Sequence, residues 1–401
     1  MFLIRRAKVD DIPTLLKLAK MVHFINLPPD REIIAEKVAW SRNCFLMAAS
    51  GEVGAAPRKR ESPAEHGALA AGIRGITGRS PLFMFVLEEI ETRGVIGTSQ
   101  IISRMGGPGH PNVSLQLSRK EMFSQSLQMG VTHTVAKLYL DESGPTEIGG
   151  LILQPSFRGH RLKLGRFISI VRFHFIGLHR EFFADRCLAE MMGMISQDGE
   201  NPFWDYCTRC FINLTYEQAD RFCQQSKEFI MTLFPREDIY LTLIAPEARS
   251  VVGQVSEETI PARRMLENLG FKYHQRVDPF DGGPHLEAPM DDIELVRSTG
   301  RTRLGEPVKD ASSFKHSGIV STLDDDGEFR AVQTAYEIDR AGKLTLPKDV
   351  FALIEGRVGV ECGYTPLKGA LQAPTPAKPA ATAPANGTPT KRARSKKPTK
   401  A

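Results

Sequence analysis

An α/β fold with a mixed central sheet is predicted by three segments of this 401-residue chain. The chain opens with a strand that runs at once into a helix. In mid-chain, "TEIGGLILQPSFRGHRLKLGRFISIVRFHFIGLHREF" reads as strand, basic Gly-containing loop and helix. Further on, "PARRMLENLGFKY" reads as a short amphipathic helix stopped by a glycine and followed by a strand. Ala262, Met265, Leu266 and Leu269 share one face at helical spacing. Pro261 suits a first helical turn, and Gly270 suits the left-handed residue that ends a helix. Phe271 and Tyr273 then fall on one face of a strand.

The remaining elements follow in order. Phe2 to Arg6 is the opening strand, and Ile12, Leu15, Leu16, Ala19 and Val22 are the buried stripe of the helix after it. Residues 51–80 are polar and rich in Gly, and read as a loop insertion. "LFMFVLEE" and "RGVIGTSQIIS" form a hairpin, and "VSLQL" and "HTVAKLYL" supply further strands. After the mid-chain unit come "CLAEMMGMI" as strand, "NPFWDYCTRCF" and "YEQADRFCQQSKEFIMTLF" as helices, "IYLTLI" as strand and "PEARSVVGQV" as helix. Past Pro289 the chain turns polar, and "FRAVQTAYEI" with "GKLTLPKDVFALIEGRVGVECGYTPL" suggests a small closing β-rich unit.

Bulk properties exclude several classes. The chain has a formal net charge of +5, yet residues 366–401 hold eight basic side chains and no acidic one. Removing them leaves 44 basic against 47 acidic residues, so the body is mildly acidic and a nucleic-acid-binding core is not expected. The Pro-, Ala- and Thr-rich tail is expected to be disordered. Its "KRARSKK" run allows weak contact with polyanions. No apolar run reaches the roughly 20 residues a membrane span needs, and the start lacks a secretory h-region. Six thinly spread cysteines do not make a disulfide scaffold, so a cytoplasmic location is expected.

Chemistry-bearing residues are few. A strand, a loop and a helix N-terminus make an anion site, because backbone N–H groups and the helix dipole both face outward there. Arg158, His160, Arg161, Lys163 and Arg166 strengthen that positive potential, although a surface turn with solvated charges satisfies the same spacing. His174, alone on an apolar stripe, reads as a satisfied core residue, and Phe203 and Trp204 read as core. Cys207 and Cys210 have no second pair at metal spacing and read as partly buried thiols, so no metal is expected.

The opening "IRRAKVDDIPTL", the mid-chain unit and the helix ending in "LGF" together resemble the GNAT-like acyl-CoA N-acyltransferases. A closer resemblance rests on "NPFW" at Asn201 to Trp204, "GQV" at Gly253 to Val255 and "FDGGPHLE" at Phe280 to Glu287. These are similar to signatures of the bacterial arginine N-succinyltransferases, and the similarity runs from residue 1 to about 365 apart from the insertion. The resemblance implies transfer of succinyl from succinyl-CoA to the α-amine of L-arginine or a related amine, as a step of arginine catabolism. It implies acyl-CoA as a co-substrate and no permanently bound cofactor; homo-oligomerisation is left open. By the resemblance, Leu151 matches a succinyl-CoA-contacting leucine, and Arg158, Arg161, Lys163 and Gly165 line the pyrophosphate loop. A guanidinium calls for carboxylates. Asp278, Asp281 and Glu287 are available in the acidic turn, with Glu147 and Glu190 on strands. Turn formation around Gly282 and Gly283 is the competing reading of Asp278 and Asp281.

The family's proton donor is the histidine of "GQVHP", and the corresponding residue here is Ser256. A serine hydroxyl donates a hydrogen bond but does not titrate near neutrality as histidine does. Three readings of Ser256 follow: a weaker donor in an active enzyme, transfer of the role to Glu257, His274, Tyr273 or a cysteine, or acyl-CoA binding with little turnover. Met192 replaces a usual arginine, and the pyrophosphate loop carries basic residues where glycines are usual. The alternative function is thus a divergent acyl-CoA-binding protein, or an acyltransferase for a different amine. The expected organisation is a catalytic domain over 1–297, a linker over 298–330, the β-rich unit over 331–365 and the tail over 366–401.

Overall fold

A computed structural model describes residues 1–21, 27–51, 80–196, 200–223 and 226–367. Residues 52–79 of the expected insertion and 368–401 of the expected tail lie outside the described residues. Strand β1 (Phe2–Arg6) leads into α1 (Ile12–Ala19) and α2 (Arg31–Ser50). The sequence reading placed no element at α2, although Asp30 caps it by accepting from Glu32 N and Ile33 N. Two antiparallel hairpins follow: β2 (Leu82–Glu89) with β3 (Gly94–Ile102), and β4 (Asn112–Ser124) with β5 (Met129–Asp141). Then come β6 (Thr146–Leu153), α3 (Leu164–Leu178) and β7 (Arg186–Glu190).

A helical segment contains a π-turn at Trp204–Thr208, then α4 (Arg209–Ile212), α5 (Tyr216–Cys223) and α6 (Glu228–Leu233). Strand β8 (Ile239–Tyr240), α7 (Pro246–Val251), α8 (Ile260–Asn268), β9 (Lys272–Val277) and β10 (Pro284–Pro289) complete the central part. The expected strand "IYLTLI" is therefore only two residues long before it coils into a 3-10 turn. The last elements are α9 (Glu294–Arg297), β11 (Gly300–Arg303), β12 (His316–Leu323), β13 (Phe329–Ile338), β14 (Leu344–Thr345), α10 (Lys348–Leu353) and β15 (Glu361–Pro366). Residues 298–330, read from sequence as a linker, thus hold β11 and β12, and both pair with β15.

One mixed sheet runs β11–β15–β12–β13–β1–β2–β3–β6–β7–β10–β9–β4–β5–β8, with β14 pairing on β13. Among these pairs only β6 and β7 are parallel. Helix α3 lies on one face, where Phe167, Ile170, Val171 and Phe175 pack with Ile148, Cys187, Ala189 and Leu286. A second core lies under α4 to α6, where the Trp204 and Phe280 rings stack at 5.0 Å. His174 is fully buried, with Nδ1 2.6 Å from Thr365 Oγ1 and Nε2 2.7 Å from Ser321 Oγ. It ties α3 to β12 and β15 as a satisfied core residue. Among the described residues no helix is long and apolar enough to cross a membrane.

Candidate functional site

The site begins where the two parallel strands part. β6 and β7 share only two register pairs, Thr146–Cys187 and Glu147–Leu188. Past them, β7 continues along β10 through Glu190–His285, while β6 follows β3 through a bulge between Thr98 and Gln100. Gly150 lies in that bulge at φ +56°, and a Cβ there would fall 2.8 Å from the Gln100 side chain. A slot therefore opens at the C-terminal ends of this parallel pair, the end at which α/β sheets present ligands. Leu151 follows the bulge, half-buried against the α3 core. Behind the slot is Arg172, which the sequence reading missed inside an apolar stripe. Its guanidinium is buried, with Nε donating to Ser169 O at 2.9 Å and Nη1 to Gly149 O at 3.4 Å. Burial in that core lowers its pKa to about 10.

The loop after β6 leads to the N-terminus of α3. Lys163, at φ +50°, caps the helix without a side-chain hydrogen bond, and Gly165 is half-buried in the first turn. Arg158, Arg161 and Lys163 are exposed around this terminus. Arg158 Nη1 is 2.9 Å from Glu258 Oε2, which links the loop to the segment holding Ser256. Ser256 is half-buried; its N–H donates to Met192 O at 3.3 Å, and its Oγ lies 2.8 Å from Thr259 Oγ1. Of the groups weighed as its substitutes, Glu257 and His274 are exposed. Tyr273 is half-buried, and burial raises its phenol. Burial pushes the Cys187, Cys207 and Cys362 thiols up to about 12 and raises Cys223 as well, so none of these four supplies a thiolate.

The other face of the sheet carries charge. Because Cys187, Ala189, Leu286 and Ala288 point to the α3 core, their alternating neighbours Glu190, His285 and Glu287 point to the opposite side. Asp278 joins Glu190 and His285 there from the turn after β9, and Asn112 joins from β4, donating Nδ2 to Glu190 Oε1 at 3.0 Å. Ligand atoms of Glu190, Asp278 and His285 all lie within 4.8 Å of one another, a spacing one cationic group can bridge. His285 Nε2 is 3.9 Å from Glu190 Oε1 and 3.9 Å from Asp278 Oδ2, and makes no hydrogen bond. Burial opposes charge on this imidazole, yet the two carboxylates outweigh it and raise the pKa. Lys227, just before α6, is likewise opposed by burial and raised by Glu190, Cys223, Asp278 and Glu147. Burial and the Asp278 charge push the Asp220 carboxyl of α5 up to about 6.

The acidic turn has structural work as well. Asp278 Oδ1 accepts from Phe280 N at 2.7 Å, and burial, which alone would raise its pKa, is outweighed by His285 and that N–H. Asp281 accepts from Gly193 N and Gly283 N, each at 2.7 Å. Burial and the neighbouring Asp278 charge raise it. A Cβ on Gly283 would fall 2.1 Å from Met191 O, so the turn admits only glycine at this position. Glu287 is held between Arg186 at 3.1 Å and Arg276 at 2.8 Å.

Residues 70–295 match the family model of the arginine N-succinyltransferase beta subunit. Over 271 residues the chain is 35% identical to an arginine N-succinyltransferase of Yersinia enterocolitica, covering 66% of this chain and 74% of that one. It is 37% identical over 222 residues to that of Yersinia pestis, covering 55% of this chain and 62% of the relative. The solved arginine/ornithine succinyltransferase subunit AI of Pseudomonas aeruginosa is 22% identical and superposes with a TM-score of 0.71, over 91% of this chain and 98% of that one.

Proposed function

Because the chain belongs to the arginine N-succinyltransferase family, we propose that this acyltransferase moves succinyl from succinyl-CoA to the α-amine of L-arginine and releases CoA. The observation that carries the reading is the opening of β6 away from β7 beside the α3 N-terminus. A pantetheine arm enters that slot along Leu151, and the pyrophosphate meets the helix dipole with Arg158, Arg161, Lys163 and Gly165. The acceptor approaches from the charged face, where Asp278 and Glu190 suit a cationic side chain. Asp281, with both oxygens on backbone N–H groups, shapes that side.

The neutral α-amine attacks the thioester carbon, the oxyanion collapses, and the C–S bond breaks. The amine nitrogen loses one proton, and the CoA sulfur gains one. Positioned acid–base help is worth about 10²–10⁴ in rate. Ser256 contributes a hydrogen bond but no titrating proton, so a slower chemical step is expected than with histidine at that position. The six cysteines, all free, support a reducing, cytoplasmic setting.

The test is CoA-thiol release from succinyl-CoA with and without L-arginine, on the full chain and on Ser256→His. Arginine-dependent release by the unmodified chain, made about tenfold or more faster by Ser256→His, is expected. Release by the variant alone would favour the second reading, an acyl-CoA-binding protein with little arginine activity, for which Ser256 is the specific observation. Silence from both would remove arginine as the acceptor.

A further inference from the structure

Building on the proposed acceptor, we infer that Glu190, Asp278 and His285 form the seat for its guanidinium, and that His285 takes part as a neutral acceptor through Nε2. The first ground is geometric. Three acceptor atoms from β7, β10 and the turn after β9 converge within 4.8 Å, and the imidazole is only 2% exposed. Its Nε2 makes no hydrogen bond, and 3.9 Å to each carboxylate is too long for one. A buried polar atom in that condition calls for a partner. A planar cation with several N–H donors placed among the three would satisfy all of them.

The second ground is placement. The parallel register ends at Glu147–Leu188, so Glu190, two residues further along β7, lies at the mouth of the slot. A ligand whose charged end sits on Glu190 therefore has its other end beside the acyl-CoA slot. The third ground is charge. The groups facing His285 are Glu190 on β7, Asp278 and Asp281 on the turn, and Lys227 ahead of α6. Glu147, Asp220 and Cys223 face Lys227 or Asp278 in turn. Carboxylates outnumber the one ammonium, and they already hold Lys227 in its charged form. A cation is thus accommodated beside them, and the metal content of the purified chain separates a guanidinium from a divalent ion in this seat.

This arrangement couples binding to a proton. In the empty seat the two carboxylates favour the imidazolium. A guanidinium brought between them removes that support and adds like charge, so His285 gives up its proton as the acceptor enters. Affinity for arginine should then rise with pH, by up to tenfold per unit, until the pH passes the raised pKa of the free His285.

Titration calorimetry of L-arginine into the full chain, in two buffers of different ionisation heat, measures the released proton. The KM for arginine across pH 5.5–8.5, from thiol release, measures the same coupling in turnover. The wild-type chain is expected to release up to one proton and to show the pH-dependent KM. His285→Gln, which offers a carbonyl acceptor that cannot titrate, should bind without proton release and flatten the KM profile. Glu190→Gln should raise KM about tenfold or more while the pH dependence persists. Equal proton release by wild type and His285→Gln, or a pH-flat KM in the wild type, would overturn the inference while leaving arginine as the acceptor. One equivalent of divalent metal in the purified chain, absent from His285→Gln, would overturn it in favour of a metal seat. Absence of both arginine heat and arginine-dependent release would remove the seat together with the proposed function.

Discussion

His174 and His179 show what an imidazole does when burial and a nearby cation dominate, even though Glu181 Oε1 lies 4.0 Å from His179 Nδ1. Burial, with the nearby Arg301 charge, lowers both to about 3, against an ordinary value near 6.5. A depressed histidine stabilises the fold fully above its unfolded pKa and loses that contribution as pH falls from about 6.5 toward 3. Each therefore withdraws about 1.4 kcal/mol per pH unit in that window. Asp220, raised to about 6, works in the opposite sense below pH 6, so the clean readout is a difference. The stability advantage of the wild type over His174→Gln should shrink by about 2 kcal/mol between pH 7 and pH 5, as read by denaturant midpoints. His285 is buried just as deeply but shifts the other way, because Glu190 and Asp278 flank it. Sequence made His174 legible, since a histidine on an apolar helical stripe has one simple reading. It left His285 silent, because its meaning depends on pairing with Glu190, 95 positions earlier in the chain, which no local pattern encodes.

The decisive element is β6. Its bulge turns the strand away from β7 and also moves side chains between faces: Ile148 and Leu151 pack with the α3 core, whereas Ile152 packs with α1 and α2. Gly150→Ala would force a Cβ to within 2.8 Å of Gln100 at a positive φ. A loss of about 1–3 kcal/mol is expected, together with a several-fold rise in the KM for acyl-CoA and a smaller effect on the KM for arginine. Thermal unfolding and steady-state kinetics on that variant check both parts. Strand β6, the basic loop and α3 were readable from local chemistry. The opening was not, because it arises from two strands with different neighbours. The "NPFW" and "FDGG" signatures were readable as motifs, yet their shared reason is tertiary. Trp204 stacks on Phe280, and Asn201 Nδ2 donates to Asp281 O at 3.2 Å. Helix α2 had a readable stripe in Ile34, Val38, Phe45 and Ala48 beside its Asp30 cap.

On the scale of the molecule, the expected β-rich closing unit is a continuation of the main sheet. β13 pairs with β1 through Ile4–Ala331 and Arg5–Arg330, and Arg6 forms an ion pair with Glu328. Composition suggested a separate unit because residues 298–330 are polar; yet β12 hydrogen-bonds on both edges, to β13 and β15, and is buried through residues 318–322, while β11 pairs on one edge with β15. Deleting everything after Arg297 should leave β1 with an open edge and His174 without Thr365 and Ser321. Loss of a cooperative thermal transition and aggregation on purification are expected for that truncation. Retention of a sharp transition would show that the first 297 residues fold alone.

The place of β1 also bears on how the chain is made. In order of synthesis β1 precedes both of its neighbours, β2 by about 80 residues and β13, which begins at Phe329, by far more. Through most of synthesis one edge of the opening strand has no native neighbour. The nascent chain must therefore keep that edge from pairing with other chains until nearly the whole sheet has emerged, a demand suited to slow folding under chaperone cover.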